Sequence, residues 1–209
     1  MGVLRKLKLS KNIENPSPVE ETPEETQLRN IVFLLDGSSS MRNGKGDLSN
    51  FELAIKAIES VLTNPDPMAK DDMLSVIVFW DEIIRGFQKE VLYENISMST
   101  YISPQKLNQF GKPKRNYGTP LWNAVEYVSD FLQGRKGNKI VKLITDAVDI
   151  RPLKDDATIS KLENSSIQLD CIIVGSEGNL AWGKVVSNAK LGRFFESSNV
   201  ESLALALRA

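Results

Sequence analysis

The stretch IVFLLDGSSSMRNG, residues 31–44, decides how this chain is read. Five apolar residues run without a break into Asp36, and Ser38, Ser39 and Ser40 crowd in behind Gly37. An unbroken apolar run of this kind is what a central strand buried on both faces of a sheet looks like. The polar residues after it read as a turn. Asp36 then stands at the carboxyl end of the strand, with hydroxyl groups at positions 38 and 40 just beyond it.

Working outward, the strand needs a fold that covers both its faces. RNIVFLLD is followed by GDLSNFELAIKAIESVLTN, in which Phe51, Ala54, Ile55, Ile58, Val61 and Leu62 recur at helical spacing. Asp47, Ser49 and Asn50 are candidate caps for that helix. NPDPMAKDD breaks it, and MLSVIVFWD is a second strand. EIIRGFQKEVLY reads as a third, joined to the second by a tight turn around Asp81 and Glu82. So short a link implies an antiparallel hairpin at a sheet edge. Glu94 to Tyr117 is read as a long, partly helical connection, the kind of segment that carries function in a compact domain.

TPLWNAVEYVSDFLQG restores helical spacing through Leu121, Ala124, Val125, Val128 and Leu132, with Thr119 placed as N-cap and Pro120 as the first helical residue. GNKIVKLITDAVD is a strand running into Asp146. KDDATISKLENSS is a helix, IQLDCIIVGS a strand, NLAWGKVVSNAK a short helix, GRFFES a terminal strand and VESLALALRA a closing helix. Strands alternate with helices. The expected fold is therefore an open, doubly wound α/β fold: a mostly parallel sheet, one antiparallel edge strand, and helices on both faces. Residues 9–28, LSKNIENPSPVEETPEETQL, are rich in Pro, Glu, Thr and Ser, with almost nothing to bury. Residues 1–28 are read as a disordered or loosely attached tail and residues 29–209 as one domain. No internal repeat is visible.

Composition narrows the chemistry. The chain has 209 residues, 41% hydrophobic and 25% charged, the balance of an ordinary globular protein able to bury a substantial core. Its formal net charge of −1 gives no electrostatic reason to expect nucleic acid. It contains no histidine, which excludes a Ser-His-Asp triad, a Cys-His dyad and any His-based zinc site. A metal here must be held by oxygen, which selects Mg²⁺, Mn²⁺ or Ca²⁺. Cys171 lies in the apolar run LDCIIVG and reads as a buried, inert thiol. MGVLRKLKLS has no apolar core of signal-peptide length, Lys6 stands where a myristoylation pattern wants Ser or Thr, and no run approaches the length of a membrane span. A cytoplasmic protein without a membrane partner is the expectation, with LRKLK a solvated basic stretch.

In open α/β folds ligands bind beyond the carboxyl ends of the strands. Asp36 and Asp146 both stand at such ends, and Thr119 opens a helix on the same rim. Three separate segments thus deliver oxygen groups to one edge of the sheet. Mg²⁺ takes about six oxygen ligands in an octahedron and readily keeps waters. Hydroxyls at alternate positions 38 and 40 are able to reach a single ion.

This constellation resembles the metal-ion-dependent adhesion site of von Willebrand factor A domains. Its three pieces are D-x-S-x-S after a buried strand (Asp36, Ser38, Ser40), a threonine after glycine and before a helix (Thr119 in YGTPLW), and an aspartate ending a later strand, commonly T-D-G (Asp146 in LITDAVD). The resemblance spans roughly residues 29 to 208 and is strongest to the compact bacterial intracellular type associated with tellurite resistance and stress operons. It implies direct ligation by Ser38 and Ser40, with Thr119 direct or through water, and Asp36 and Asp146 acting largely through waters. It also implies an open position filled by an aspartate or glutamate from a partner protein, in a cytoplasmic multi-protein assembly.

Taken singly, each piece has an ordinary explanation. D-x-S-x-S is also a common turn composition, Thr119 a helix cap, and Asp146 a strand-end residue. Their joint order is what raises the functional reading. Two departures from the family pattern stand out: Ser39 where glycine is frequent, and Ala147 after the strand-end aspartate. Asp149 is an extra carboxylate nearby. Trp80, Trp122 and Trp182 are expected in the core rather than on a binding surface. KPKRN, residues 112–116, reads as a solvated basic loop or as a steering patch for an acidic partner. NGKGD and GSEGN lack phosphate-loop spacing.

Three functions compete. The first is a non-enzymatic, metal-dependent protein-interaction module. The second is a Mg²⁺-dependent phosphatase or hydrolase with Asp36 as nucleophile, against which Ser38 stands where haloacid-dehalogenase-like phosphatases carry a second aspartate. The third is a structural adaptor that binds partners away from the rim and uses the metal for stability alone.

Overall fold

A computed structural model describes residues 28–44, 46–65, 68, 71–99, 101–113, 119–148, 155–175 and 191–209. The six strands are β1 (Arg29–Asp36), β2 (Met73–Glu82), β3 (Gly86–Ser97), β4 (Asn138–Thr145), β5 (Ile167–Val174) and β6 (Phe194–Ser197). They form one sheet in the order β3-β2-β1-β4-β5-β6. β2 and β3 are antiparallel and every other pairing is parallel. The expected open α/β architecture with one antiparallel edge strand is what the chain adopts.

The helices are α1 (Asn50–Thr63), α2 (Gln105–Phe110), α3 (Leu121–Phe131), α4 (Asp156–Asn164) and α5 (Val200–Arg208). The apolar strands bury both faces, so alternate residues enter different cores. Ile31, Phe33 and Leu35 of β1 join the layer under α1, α2 and α5, with Phe51, Ile58, Leu107, Leu203 and Leu207. Val32 and Leu34 join the opposite layer under α3 and α4, with Leu121, Val125, Val128, Ile159 and Leu162. Burial of each such side chain contributes about 1.5–3 kcal/mol against full exposure. Trp80 and Trp122 are core residues, one in each layer. Cys171 is buried, and burial pushes its thiol pKa up.

Local chemistry sets the helix starts. Ser49 caps α1 in a capping box: its hydroxyl accepts from the Glu52 amide, and the Glu52 carboxylate accepts from the Ser49 amide. Asp155 and Asn199 cap α4 and α5 with their side chains.

Several sequence expectations need correction. The hairpin does not turn at Asp81 and Glu82. Both pair with β3, opposite Phe87 and Gly86, and the turn is Ile83–Ile84–Arg85. Strand β3 runs on to Ser97, into the segment read as a loose connection, and only Gln105–Phe110 of that segment is helical among the described residues. The tail up to residue 27, the helix expected at 179–190 with Trp182, Asp149, and Lys114 to Asn116 of the basic stretch lie outside the described residues.

Candidate metal centre

The register of the sheet brings the strand ends together. Asp36 ends β1 beside Phe79 of β2, and Leu35 pairs with Ile144, one residue short of the end of β4. Asp146 follows directly. Gly37 then lies against β2, where its amide donates to the Phe79 carbonyl at 2.7 Å. A Cβ on Gly37 would stand 2.9 Å from a Val78 methyl and 3.1 Å from that carbonyl, so the turn leaving β1 requires glycine here. The chain next forms a single 3-10 turn, Ser39–Arg42, pinned by buried Met41.

Asp36, Ser38, Ser40 and Asp146 form one hydrogen-bonded chain. The Ser38 amide donates to Asp36 Oδ1 at 2.8 Å. The Ser38 and Ser40 hydroxyls are 3.0 Å apart, and the Ser40 hydroxyl donates to Asp146 Oδ1 at 3.0 Å. Thr119 joins through the loop after β4. Its hydroxyl donates to the Val148 carbonyl at 3.1 Å, while the Val148 amide donates to Asp146 Oδ1 at 3.2 Å. The three segments singled out in the sequence therefore meet in one network.

The helix-cap role expected of Thr119 does not hold. Pro120 occupies the cap position of α3, Leu121 is the first helical residue, and no side chain caps the helix. The Thr119 hydroxyl gives its proton to Val148 instead, so its lone pairs are not spent on a helix amide. Each hydroxyl that donates to a carbonyl or carboxylate in this way keeps oxygen lone pairs to offer a cation.

One participant was in plain view and unassigned. Thr145, the residue before Asp146, donates its hydroxyl to Asp36 Oδ2 at 2.7 Å and accepts from the Ala147 amide at 2.9 Å. Asp36 is fully buried, with hydrogen bonds to both of its oxygens. Burial, followed by the charge of nearby Asp146, pushes its carboxyl up to about 7, against the hydrogen bonds from Thr145 and Ser38. Two carboxylates buried among hydroxyls form an all-oxygen donor set that repels itself when ionised. That is the chemistry a hard divalent cation relieves. Among the described residues no group of three or more His, Cys, Asp or Glu is placed to hold a metal ion.

The two departures from the family pattern sit differently. Ser39 lies in the 3-10 turn and is not among the positive-φ residues, so its side chain imposes no backbone strain. Ala147 has φ of 53°, the left-handed region that favours glycine, and its methyl is buried against the α3 and α4 layer.

The model of the von Willebrand factor type A domain matches residues 30–208. The chain belongs to this family. No curated protein matches it. Among solved structures, this A domain is similar to the BatB protein of Bacteroides thetaiotaomicron, at 18% identity and a TM-score of 0.65, covering 86% of this chain and 95% of that one. It is also similar to a von Willebrand factor type A protein from Catenulispora acidiphila, at 18% identity and a TM-score of 0.63, covering 86% of this chain and 41% of that one. A third similar structure is proximal thread matrix protein 1 from the mussel byssus with a zinc-occupied adhesion-site motif, at 15% identity and a TM-score of 0.60, covering 86% and 45%. These likenesses concern the fold. A domains as a family are metal-dependent protein-interaction modules that commonly hold a divalent cation. Among the described residues, no helix of this A domain is long and apolar enough to cross a membrane.

Proposed function

We propose that this A domain is a non-enzymatic interaction module that binds a protein partner through a divalent cation, with Mg²⁺ the best fit. Ser38, Ser40 and Thr119 would hold the ion with their hydroxyls, and Asp36 and Asp146 would balance its charge. The cation supplies an electrophilic position for an aspartate or glutamate of the partner. The observation that carries this reading is the single network linking five oxygen side chains from three segments around two buried carboxylates. In keeping with the bacterial intracellular type it resembles, we place the domain in a cytoplasmic stress-response assembly of the tellurite-resistance kind.

The phosphatase reading loses support from the same geometry. A nucleophilic carboxylate must present a free oxygen to phosphorus, and Asp36 is fully buried with both oxygens engaged. The adaptor reading puts the partner away from the rim and leaves the metal a stabilising role alone, so its partner would remain bound without metal.

Partner capture from the native cytosol, with mass-spectrometric identification, separates these. The expected result is a partner held in Mg²⁺, released by EDTA, and not captured by Asp36→Ala or Ser40→Ala. A partner retained through both chelation and substitution would reject the metal-bridged reading. Steady hydrolysis of a phosphate ester, abolished by Asp36→Asn, would reinstate the enzyme.

A further inference from the structure

The rim that carries the metal centre is uneven. Strand β1 stops at Asp36, opposite Phe79, whereas β2 continues through Trp80 and Asp81 to Glu82. At roughly 3.3 Å per residue, the β2–β3 hairpin stands about 10 Å beyond the strand end that bears the site. At its tip Ile83 is 73% exposed and Ile84 is 95% exposed. The other exposed large apolar residues among those described, Leu28, Tyr101 and Leu205, have no such neighbour in sequence.

Local structure does not require these isoleucines. Tight turns favour Gly, Asn, Asp and Ser, and the positive φ of this turn falls on Gly86. Polar groups hold the turn in place. The Gln88 side-chain amide lies within hydrogen-bonding distance of the Arg85, Gly86 and Phe87 carbonyls, at 3.1, 3.4 and 2.9 Å. Glu82 accepts from the Trp80 indole at 3.2 Å and faces Arg85 at 3.8 Å. Two apolar side chains are thus displayed on a support that is already ordered, the condition under which an exposed contact adds most to affinity.

Charge orients whatever lies across this rim. Exposed Arg42, two residues past Ser40, stands at the metal end, anchored to the Pro113 carbonyl at 2.8 Å. Asp81 and Glu82 stand at the hairpin end, where Arg85 faces Glu82 at 3.8 Å and leaves one net negative charge among the three. An acidic group is more favoured beside the centre than beside the tip.

We propose that Ile83 and Ile84 form a second anchor of the partner-binding surface. Its occupant is an extended segment of a protein partner, with an Asp or Glu at the cation and a large aliphatic or aromatic residue packed on the hairpin tip. From Phe79, opposite Asp36, to Glu82 at the end of β2 is three steps, about 10 Å, and Ile83 follows in the turn, so the two partner residues are separated by roughly three to five positions. This inference rests on the metal-bridged reading above and adds its partner class.

The test is selection of phage-displayed random linear peptides on the immobilised full chain in Mg²⁺, eluted with EDTA. It is run in parallel on wild type and on Ile83→Ser/Ile84→Ser, with thermal melting to confirm that the variant is folded. Ile84→Ser alone replaces the double variant if that one melts low. The expected wild-type pool pairs an acidic residue with a large apolar residue at that spacing. The variant pool keeps the acid and loses the apolar preference, and a wild-type peptide binds the variant on the order of tenfold more weakly. Acid-only pools from both proteins overturn the second anchor and leave the metal reading intact. An absence of EDTA-eluted peptides overturns both. A wild-type dimer that disappears in the variant, seen by analytical ultracentrifugation, assigns the tip to a second copy and overturns the proposal.

Discussion

At the residue scale, the centre depends on a side chain whose role the motif does not advertise. Thr145 gives Asp36 one of its hydrogen bonds and so favours its ionised form. Valine has nearly the same shape and no hydroxyl. Thr145→Val is therefore expected to leave the fold intact, raise the Asp36 pKa further, and weaken Mg²⁺ binding by roughly 10- to 100-fold, the usual effect of removing a group that orients a metal ligand. Isothermal titration of the metal checks this, and unchanged affinity would show that Asp36 does not need its threonine. The T of T-D-G falls on Thr145 in the sequence, but threonine is ordinary in strands and the motif does not say which group its hydroxyl bonds. D-x-S-x-S is ordinary turn composition, so Asp36, Ser38 and Ser40 were legible as a site only together with Thr119 and Asp146, in order and on the same rim. Thr119 bonds the Val148 carbonyl instead of capping the helix, although a threonine before proline at a helix start also fits a cap.

At the scale of elements, the rim is shaped by close approaches between neighbours. Gly175 follows β5 with φ of 87°, and a Cβ there would stand 2.7 Å from the Asn50 amide oxygen at the start of α1. Gly175→Ala combines a strained backbone with a clash against a buried side chain, and a loss of about 1–3 kcal/mol is expected in urea denaturation. A stability equal to wild type would mean that α1 is free to shift away from β5. Strand and helix order was readable because unbroken apolar runs and the 3.6-residue apolar period are local properties. β3 was cut short because its outer residues are polar, as edge strands often are, and its pairing with β2 is a property of two segments rather than one. The hairpin turn was misplaced for a related reason. Asp81 and Glu82 have turn composition while Ile83 and Ile84 do not, yet the sheet register extends β2 through the acids and turns at the isoleucines.

At the scale of the whole molecule, the sheet closes around a charge that no local pattern explains. Lys142 is buried in the middle of β4, 2.6 Å from Asp170 of β5, and Asp170 also meets Arg193 at 2.7 Å. Burial lowers the Lys142 pKa, with the Asp170 contact acting the other way. Burial alone would raise Asp170. The combined hydrogen bonds from Arg193, Lys142 and Gln168 outweigh it and hold the carboxyl at about 2, below its ordinary 3.8. A carboxyl depressed in this way contributes stability that is fully present above about pH 4 and is lost as pH falls towards 2, because the unfolded chain takes up the proton first. Replacing Asp170 with asparagine leaves Lys142 buried without its counter-charge, which costs about 3–5 kcal/mol near neutral pH for such pairs. The difference between wild type and Asp170→Asn should therefore be large at pH 7, unchanged down to about pH 4, and smaller at each step from there towards pH 2. Chemical denaturation across that range measures it directly. A difference that stays constant down to pH 2 would mean that the charge on Asp170 is not what stabilises its pairing with Lys142 across β4 and β5.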